Sequence, residues 1–419
     1  MLKTIIIAFS LKKGGAGLAA NKFKQLLDQN KSSSRLDSIT QDDAGKYQFF
    51  KRLISLALSK LQLDGNPIKH SLNLFSYRPV LKSFMHSKDI LYHIHWINND
   101  TLSIFDFDKI PSGSIITLHD EWLYCGSEHH YRVLDDSNKF ISGYNYFTSG
   151  VLGINWNYLI WKVKYQKLAY RDDLIYTVPS SWMLERARSS AILNKSNISL
   201  LPNPIDTEVF KPSTQDIDNT LRNRLNIDKK SFVIVFPSLP DKKNKLKGIS
   251  LFESALKLFK SSLEQNSVYK IVLVNFGGSK GESKIHGFRN ISIGQIKDTS
   301  YLAKLYSAAD CVVVPSMIES FGQVSAEALS CCTPVVCFDT SGLRDIVLHR
   351  YTGFVAESFS TSSLCDQLIE MIKISKKTRL EMGQIGRKHV LENFSFPIIT
   401  QKYLKILKDA AALKKDTEL

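Results

Sequence analysis

Residues 311–338 read CVVVPSMIESFGQVSAEALSCCTPVVCF, and this stretch indicates the fold class. The apolar runs Cys311–Val314 and Pro334–Phe338 are short, as strands are, and apolar enough to be buried on both faces of a parallel sheet. Between them, a short loop leads into amphipathic sequence that begins a helix near Phe321 and Gly322. A strand, a loop, a helix and a second strand in this order predict an α/β fold.

Apolar runs of the same kind recur along the chain, each followed by a longer amphipathic segment. The segment Leu200–Pro212 separates them into two groups and contains three prolines, which break regular structure. A chain of 419 residues also exceeds the size of one ordinary core. We therefore predict two doubly wound Rossmann-like domains facing a central cleft, over residues 1–205 and 206–395, and a C-terminal helix over 396–419 that packs back on the first domain. The other predicted strands are Ile5–Phe9, Ile90–His95, Ser114–Leu118, Leu174–Val178, Phe232–Phe236 and Ile271–Asn275.

The charge balance narrows the classes of partner. The chain has 55 Lys and Arg against 40 Asp and Glu, a formal net charge of +15. Residues 1–100 hold 15 of the basic residues and 7 of the acidic ones, whereas residues 101–150 hold 3 and 7. Because no nucleic-acid-binding motif accompanies this excess, it favours an anionic lipid surface or a phosphate-bearing substrate over nucleic acid.

Cysteine usage and hydropathy indicate a cytoplasmic protein. The six cysteines form no CxxC pair and no regular framework, which is typical of free thiols in a reducing compartment. The apolar run at the start of the chain is too short for a signal peptide, and Lys12 and Lys13 follow it. The chain has no run of about 18 apolar residues, so we expect no membrane span.

Glu319 and Glu327 are the first candidate site residues. Glu319 lies in the loop after the strand Cys311–Val314, and Glu327 lies in the second turn of the following helix. The free N–H groups and positive dipole end of a helix N-terminus suit a diphosphate, and an adjacent carboxylate accepts hydrogen bonds from a ribose diol. Lysines in the segment 241–248 supply the cations that such a site needs beside its carboxylates.

These motifs resemble those of glycosyltransferase family 4, a large family of retaining enzymes with the GT-B fold. The spacing of seven residues between Glu319 and Glu327 matches its donor-site signature, as do the Pro-Ser before and the Thr-Pro-Val-Val after. The segments Pro202–Pro212, Lys247-Gly248 and Leu305–Asp310 match the family in the same order. The resemblance covers residues 200–395.

The resemblance implies a role for each matching residue of the second domain. Glu319 is implied as a catalytic residue that contacts the transferred sugar, Glu327 as a ligand of the ribose and Lys247 as a ligand of the pyrophosphate. The resemblance also implies that the departing phosphate helps to deprotonate the acceptor hydroxyl, and that lysine with the helix dipole replaces a metal. The other implied donor-binding residues are Lys243 at a phosphate, Gln295 and Ile296 at the nucleobase, and Ser320, Phe321 and Gly322 beside the diphosphate.

The first domain resembles the branch of the family that builds bacterial surface polysaccharides of the O-antigen or colanic-acid type. The matching segments are Gly14–Gly17, His93–Trp96 and Thr117–Tyr131. By this resemblance Gly14 and Gly15 face the donor phosphates, and His119 is a catalytic residue at the donor sugar. The residues implied for the acceptor are His93, His95 and Trp96.

The predicted function is therefore retaining hexosyl transfer from a nucleotide diphosphate sugar to a lipid-linked oligosaccharide, without a cofactor or a metal ion. An undecaprenyl-diphosphate-linked acceptor suits the basic first hundred residues. We accordingly expect a cytoplasmic protein that binds peripherally to the anionic inner face of the plasma membrane and does not bind nucleic acid.

Two positions depart from the family pattern. Cys332 stands where the family usually has Gly, at a helix C-terminal turn that prefers glycine. A longer lysine-rich loop precedes Lys247, which leaves Lys243, Lys245 and Lys247 as alternatives for the second phosphate. Two other functions stay open: a nucleotide-sugar epimerase of the same fold, and a non-catalytic partner subunit, which only Cys332 supports.

Three further motifs have weaker functional interpretations. Gly15–Ala20 matches the dinucleotide fingerprint of an oxidoreductase with Asp37 at the required distance, but the segment 31–37 is polar rather than an apolar strand. Five histidines between residues 93 and 130 suggest zinc, but no HExxH motif or cysteine partner accompanies them, which favours structural or substrate-binding roles. Asp106 and Asp108 imitate an Asp-x-Asp metal motif, and an isolated pair in a polar loop is ordinarily solvated.

Overall fold

The structure, a computed structural model, describes residues 3–30, 36–63, 66, 68–131, 138–147, 152–238, 245–264 and 269–418. The chain forms two compact units. Unit 1 comprises Met1–Pro204 and Ile399–Leu419, and unit 2 comprises Ile205–Ile398.

Unit 1 is built on a parallel sheet. Its strands are β1 (Lys3–Ala8), β2 (Leu36–Ile39), β3 (Gln62–Leu63), β4 (Ile90–His95), β5 (Ile115–Thr117), β6 (Leu152–Gly153), β7 (Ile175–Val178) and β8 (Asn197–Leu200). Six of them form a parallel sheet in the order β2-β1-β4-β5-β7-β8, and β3 pairs antiparallel with β6. The strand order reverses between β1 and β4, which is the doubly wound arrangement that the sequence predicts.

Unit 2 repeats this plan with a larger sheet. Its strands are β9 (Phe232–Pro237), β10 (Ile271–Phe276), β11 (Gly281–Ile285), β12 (Phe288–Ser292), β13 (Cys311–Val314), β14 (Val335–Phe338) and β15 (Gly353–Ala356). The order is β11-β12-β10-β9-β13-β14-β15, in which β11 is antiparallel to β12 and the other neighbouring pairs are parallel. The order reverses between β9 and β13.

Helices cover both sheets. They are α1 (Gly14–Gln29), α2 (Lys46–Ser59), α3 (Arg78–Phe84), α4 (Lys139–Ser142), α5 (Trp156–Leu168), α6 (Ser181–Ser189), α7 (Gln215–Arg224), α8 (Ile249–Glu264), α9 (Thr299–Ser307), α10 (Gln323–Ser330), α11 (Leu343–Ile346), α12 (Thr361–Lys373), α13 (Lys376–Asn393) and α14 (Phe396–Glu418), with 3₁₀ turns at Ile104–Lys109 and Lys245–Lys247. Within the described residues, none of these helices combines the length and the apolar character needed to cross a bilayer.

Side chains in the sequence mark where several helices begin. The hydroxyls of Ser180 and Ser360 and the carboxylate of Asp298 each accept a hydrogen bond from a backbone N–H of the first turn that follows. Such caps satisfy donors that have no partner inside the helix. Helices α1 and α10, which the sequence predicts at the donor phosphates, differ from these helices. Neither begins with a side-chain cap, so their first N–H groups are not bonded to a capping side chain.

All eight apolar runs predicted as strands coincide with strands, namely β1, β4, β5, β7, β9, β10, β13 and β14. The segment 31–37 was interpreted as polar rather than as an apolar strand, and its last two residues, Leu36 and Asp37, belong to β2. β2 lies at the edge of the sheet, where one side remains open to solvent and polar residues are tolerated. The carboxylate of Asp37 is 59% exposed there and pairs with Lys3 Nζ at 3.3 Å.

Alternate residues of the unit 2 strands enter two apolar cores, one on each face of the sheet. Val233 and Val235 belong to the core on one face, and Ile234 and Phe236 belong to the core on the other. This burial on both faces explains why the strands of unit 2 are continuous apolar runs.

Candidate functional site

The parallel strands of unit 2 bring several predicted donor residues to one edge. Because β9, β13 and β14 are parallel, their carboxyl ends lie at the same edge of the sheet. The loop 315–322 leaves β13 there, and the 3₁₀ turn Lys245–Lys247 contacts this loop. The strand order reverses at this position, which is where open α/β sheets bind ligands.

Lys247 and Glu319 form an ion pair at this edge. Lys247 Nζ lies 2.6 Å from Glu319 Oε1, and the Ser316 hydroxyl donates to the same oxygen at 2.7 Å. The two charged side chains are 35% and 20% exposed, so a ligand can reach both. A lysine ammonium that a carboxylate neutralises in this way can exchange that partner for a phosphate oxygen.

A glycine holds Lys247 in place. Gly248 has a φ of +63°, and a Cβ at this position would lie 1.8 Å from Pro315 O. The Met317 N–H also donates to Leu246 O at 2.8 Å. Because the two loops touch backbone to backbone, only glycine allows the approach that brings Lys247 to Glu319.

A second pair of small residues holds the Glu319 loop from the other side. The Glu319 N–H donates to the Ser341 hydroxyl at 2.8 Å, and the Gly342 N–H donates to Glu319 O at 2.8 Å. A Cβ at Gly342 would lie 2.7 to 2.8 Å from the carbonyl oxygens of residues 319–321. Ser341 and Gly342 were not predicted as site residues, although a Ser-Gly pair soon after the buried strand β14 was an available signal.

The N-terminus of α10 begins at the same edge. Gly322 is its N-cap, with a φ of +107° and no side-chain cap. Ser320 is half-buried, whereas Phe321 is 3% exposed and packs edge-on against Phe394 with ring centroids 5.4 Å apart. Phe321 therefore offers a ligand only its backbone groups.

Glu327 is the more buried of the two predicted carboxylates. It is 8% exposed, and Gln323 Nε2 donates to its Oε1 at 2.7 Å. Burial, and next the charge of Glu327, raise the pKa of Tyr306 well above its usual value. Tyr306, beside Glu327, therefore keeps its proton. The carboxylate of Glu327 can accept hydrogen bonds, which is what the two hydroxyls of a ribose require.

Gln295 and Ile296 lie beside a different cleft of unit 2. This cleft has a volume of about 590 Å³, and Lys297 and Tyr301 also line it. Gln295 is exposed, while Ile296 is half-buried against the apolar core. The predicted donor residue Lys243 lies outside the described residues.

A glycine turn joins β1 to α1 in unit 1. Gly14 has a φ of +74°, and a Cβ at Gly14 or at Gly15 would meet open space. A Cβ at Gly17 would instead lie 2.3 Å from Ser10 O. Gly17 therefore serves the close approach of α1 to the preceding turn, whereas Gly14 and Gly15 leave room above the helix N-terminus.

His93 and His95 point from β4 into the interior of unit 1. His93 is fully buried, with its Nδ1 2.6 Å from the Tyr403 hydroxyl and its Nε2 2.6 Å from Thr117 Oγ1. His95 Nδ1 lies 2.9 Å from His119 Nε2. Both ring nitrogens of His93 thus face protein groups, and its contact with an acceptor stays a prediction.

These three histidines are neutral at pH 7. Burial, and next the electrostatic effect of His119, lower the pKa of His93 to about 3. Burial lowers the pKa of His119 to about 4 against the opposing effect of Asp120, and burial lowers that of His95 as well. A neutral imidazole has one donor and one acceptor nitrogen. The His119 ring can therefore donate a hydrogen bond to a sugar hydroxyl or accept one from it, depending on its tautomer.

Trp96 belongs to a second polar cluster in unit 1. Its indole N–H donates to Asp120 Oδ2 at 2.6 Å, and His129 Nδ1 lies 2.6 Å from the same oxygen. Lys69 Nζ lies 4.6 Å from the centre of the Trp96 ring. Trp96 has a φ of +39°, an unusual backbone conformation for a bulky residue that the surrounding contacts must maintain.

The predicted metal-like motifs have other partners. Asp106 accepts from the Ser76 hydroxyl at 2.6 Å and pairs with Lys109 at 2.7 Å, and Asp108 pairs with Lys167 at 2.9 Å. Within the described part of the chain, no group of three His, Cys, Asp or Glu side chains has the arrangement of a metal site.

Asp37 lies at the wrong edge for a dinucleotide site. Its carboxylate pairs with Lys3 at the start of β1, whereas Gly14 and Gly15 follow the end of that strand. Ligands of doubly wound sheets bind outside the carboxyl ends of the strands, so Asp37 cannot meet a nucleotide held at the glycine turn.

Unit 2 matches a known family. Residues 218–389 match the profile of the family described as Glycosyl transferases group 1. The matched segment is similar to this family and contains the Lys247–Glu319 pair, Gly322 and Glu327.

A curated relative matches about half of the chain. The D-inositol 3-phosphate glycosyltransferase of Paenarthrobacter aurescens is 27% identical over 205 residues, which are 48% of this chain and 48% of the relative. The chain thus spans about half the length of the curated relatives that it matches first.

Solved structures resemble the chain over nearly its whole length. Sucrose-phosphate synthase from Thermosynechococcus elongatus has a TM-score of 0.67 at 17% identity and covers 98% of this chain and 100% of its own. Anabaena Alr3699/HepE, solved in complex with UDP-glucose, has a TM-score of 0.62 at 15% identity with coverages of 98% and 100%. This likeness confirms the predicted GT-B fold class.

Proposed function

We propose that the protein is a retaining glycosyltransferase that moves a hexose from a nucleotide diphosphate sugar to a lipid-linked glycan. The observation that carries the proposal is the 2.6 Å ion pair between Lys247 and Glu319. The pair lies in the segment that matches the glycosyltransferase family, at the sheet edge where α/β folds bind ligands.

The diphosphate of the donor binds at Lys247 and at the start of α10. Lys247 exchanges Glu319 for a phosphate oxygen, and backbone N–H groups after Gly322 donate to the same diphosphate. Glu319, once released, accepts hydrogen bonds from the transferred sugar, and Glu327 accepts them from the ribose. UDP-sugars are the first donors to test, because a protein of the same fold, HepE, was solved with UDP-glucose.

Catalysis then consists of positioning and of stabilising the leaving group. The bond between sugar and phosphate breaks while the acceptor hydroxyl attacks the same face of the sugar, and the departing phosphate takes the hydroxyl proton. Lys247 and the N-terminus of α10 stabilise the charge that develops on this phosphate, so the reaction needs no metal ion.

In unit 1 we propose His119 as a catalytic residue at the donor sugar. It is neutral, half-buried and linked to His95, so it can hold a sugar hydroxyl in one orientation. We assign Trp96 to the acceptor, because its strained backbone and its contacts with Asp120 and Lys69 hold the indole in a fixed position. His93 and His95, whose ring centroids lie 3.9 Å apart, are the other residues that we assign to the acceptor.

The acceptor is a lipid-linked oligosaccharide of bacterial surface polysaccharide synthesis, of the O-antigen type, at the cytoplasmic face of the plasma membrane. The resemblance of Thr117–Tyr131 and the basic excess of residues 1–100 support this acceptor. A phosphorylated polyol is the second candidate, because a relative is named a D-inositol 3-phosphate glycosyltransferase.

A donor screen tests the proposal. Purified protein is incubated with UDP-, GDP- and dTDP-sugars and either a lipid-linked glycan pool or inositol phosphates, and release of the nucleoside diphosphate is measured. We expect release that requires an acceptor, resists EDTA and falls about 10³-fold in Glu319→Gln. The matched control Glu370→Gln changes a side chain in α12 that is 52% exposed, and we expect it to keep full activity. We also expect NMR to show that the product retains the anomeric configuration of the donor.

Two results would contradict this function. Interconversion of a UDP-sugar without any acceptor would identify an epimerase. Nucleotide binding without release from any donor would identify a non-catalytic subunit.

A further inference from the structure

Helix α2 of unit 1 exposes apolar residues and buries polar ones. Tyr47, Phe50 and Leu53 are 74%, 60% and 44% exposed, whereas Gln48 and Ser55 are 5% and 7% exposed. A surface helix of a globular protein ordinarily has the opposite arrangement. We name the outward side, formed by Tyr47, Phe49, Phe50, Leu53 and Leu56, the α2 face.

Specific hydrogen bonds fix this orientation. Gln48 Nε2 donates to Asp100 O at 2.7 Å, and the Ser55 hydroxyl donates to Asp100 Oδ1 at 2.9 Å. The same oxygen of Asp100, a residue that is 1% exposed, also accepts from the Phe75 N–H at 3.0 Å. The polar side of α2 is therefore held by buried hydrogen bonds, and turning the helix over would break them.

The apolar surface continues beyond the helix. Leu61 and Leu63 are 48% and 61% exposed just after α2, and Phe147 is 89% exposed. Trp156 Nε1 donates to Leu58 O at 2.7 Å and the neighbouring Asn155 donates to the backbone carbonyl of residue 146, so the loop with Phe147 is anchored beside the end of α2. Apolar patches of this extent on a protein surface mark interaction sites.

The charged residues of the α2 segment itself are basic. Residues 44–63 include Lys46, Lys51, Arg52 and Lys60 and no Asp or Glu, whereas Asp42, Asp43 and Asp64 lie just outside this segment. The Lys51 ammonium lies 4.6 Å from the Tyr47 ring centre, and the Arg52 guanidinium lies 5.6 Å from that of Phe49, so cations flank the aromatic side chains. An apolar face bordered by cations complements a layer of anions above hydrocarbon.

We infer that α2 docks unit 1 on an anionic lipid bilayer, with the α2 face at the boundary between headgroups and acyl chains. This names the surface for the peripheral membrane binding proposed above, but needs neither donor nor acceptor. Contact between two copies through the same face would bring like charges together, so charge complementarity favours the bilayer over a second copy of the chain.

Vesicle flotation tests this inference with the full chain. We expect the protein to float with vesicles that contain phosphatidylglycerol and to stay behind with pure phosphatidylcholine. Phe50→Ser combined with Leu53→Ser lowers the partition coefficient about tenfold or more. The control is Leu258→Ser on α8 of unit 2, where the side chain is 43% exposed, and it leaves binding unchanged. Lys46→Gln with Lys60→Gln weakens binding and its salt dependence.

A second measurement reports directly whether the α2 face enters the bilayer, from the fluorescence of a dye attached to α2. The six native cysteines are buried or half-buried, so Phe50→Cys provides the reactive site for an environment-sensitive dye. Its emission shifts to the blue on addition of anionic vesicles, whereas dye on Leu258→Cys does not respond.

Four results would overturn the inference: no vesicle binding, equal binding to neutral and anionic vesicles, unchanged binding of the α2 variants, or a dimer in light scattering that these variants abolish. Vesicle binding without transfer from any donor would contradict the proposed reaction alone. Transfer to a water-soluble acceptor without vesicle binding would contradict the α2 docking alone.

Discussion

The loop after β13 in unit 2 and the segment after β5 in unit 1 are held in place by different means. Close backbone contacts hold the first, with Gly248 against Pro315 and Gly342 against the carbonyls of residues 319–321. Buried charged side chains hold the second. Glu121, which is fully buried there, accepts from Arg186 Nε at 2.6 Å and from the backbone N–H of residue 131 at 3.1 Å.

This difference determines which changes each region tolerates. A loop fixed by backbone contacts is sensitive to an added Cβ and insensitive to pH. A segment fixed by buried charges is sensitive to the loss of one partner and to protonation. Four sets of variants test this contrast.

Gly248→Ala tests the backbone contact most directly. An alanine would place its Cβ 1.8 Å from Pro315 O at a φ of +63°, so the turn must move and Lys247 must leave Glu319. We expect kcat/KM for glycosyl transfer to fall about 10³-fold, equivalent to about 4 kcal/mol, while the far-ultraviolet circular dichroism stays that of the folded protein.

The matched control is Gly287→Ala, between β11 and β12 of the same unit. Gly287 also has a positive φ, of +84°, but a Cβ there would approach only the end of the Lys260 side chain, at 3.4 Å, so activity should be unchanged. Equal activity of Gly248→Ala and Gly287→Ala would show that backbone contact does not position Lys247.

Glu121→Gln tests the buried charges of unit 1. The substitution removes the carboxylate from a fully buried position and leaves Arg186 without its ionic partner. We expect the free energy of unfolding to fall by about 3 kcal/mol in urea titrations at neutral pH. Glu185→Gln, on the exposed side of α6, should cost almost nothing; a similar loss in both variants would argue against a special role for the buried pair.

The buried histidines of unit 1 predict that the stability of the protein depends on pH. His93 is fully buried and its folded pKa is about 3, below the unfolded value of 6.5, so the unfolded chain takes up the proton first as the pH falls. The stability is therefore complete above pH 6.5 and is lost progressively below it, by about 2 kcal/mol at about pH 5 for this one group.

Urea midpoints at about pH 7.5 and about pH 5 measure this loss. His93→Gln should reduce the difference between the two midpoints, whereas substitution of the exposed His86 by Gln should leave it unchanged. A pH dependence that His93→Gln does not alter would assign the acid sensitivity to other groups.

The same contrast explains what could be predicted from the sequence. Short sequence patterns predict several features of unit 2, because its backbone conformation depends on residues that are consecutive in the chain. These features are the strands, the positions of Glu319 and Glu327, and the Lys247-Gly248 pair. The partners of His93 are Thr117 and Tyr403, 24 and 310 positions away, and no local pattern specifies such pairs. For the same reason the sequence placed His93 at the acceptor without indicating its burial.

β2 and the α2 face were not predicted for a different reason. Their character depends on the surrounding structure and not on pairs of residues that are distant in the chain. β2 was read as polar because its position at the sheet edge, which permits Asp37, is a property of the assembled sheet. The α2 face follows the helical period, but the sequence does not reveal that its polar side is the buried one, because this depends on Asp100.

Cys332→Gly tests the smallest backbone effect, at the position where the chain departs from the family pattern. Cys332 follows α10 with a φ of +60°, which confirms that this turn adopts the left-handed conformation that favours glycine. A Cβ at Gly383 would lie 1.9 Å from Cys332 O, so α13 packs closely on the turn and prevents it from relaxing. We expect Cys332→Gly to raise the free energy of unfolding by about 0.5 to 1 kcal/mol relative to Cys332→Ala, which removes the thiol but keeps the positive φ. If the two variants unfold at the same urea concentration, the turn is not strained, and close backbone contacts constrain unit 2 less than its glycines indicate.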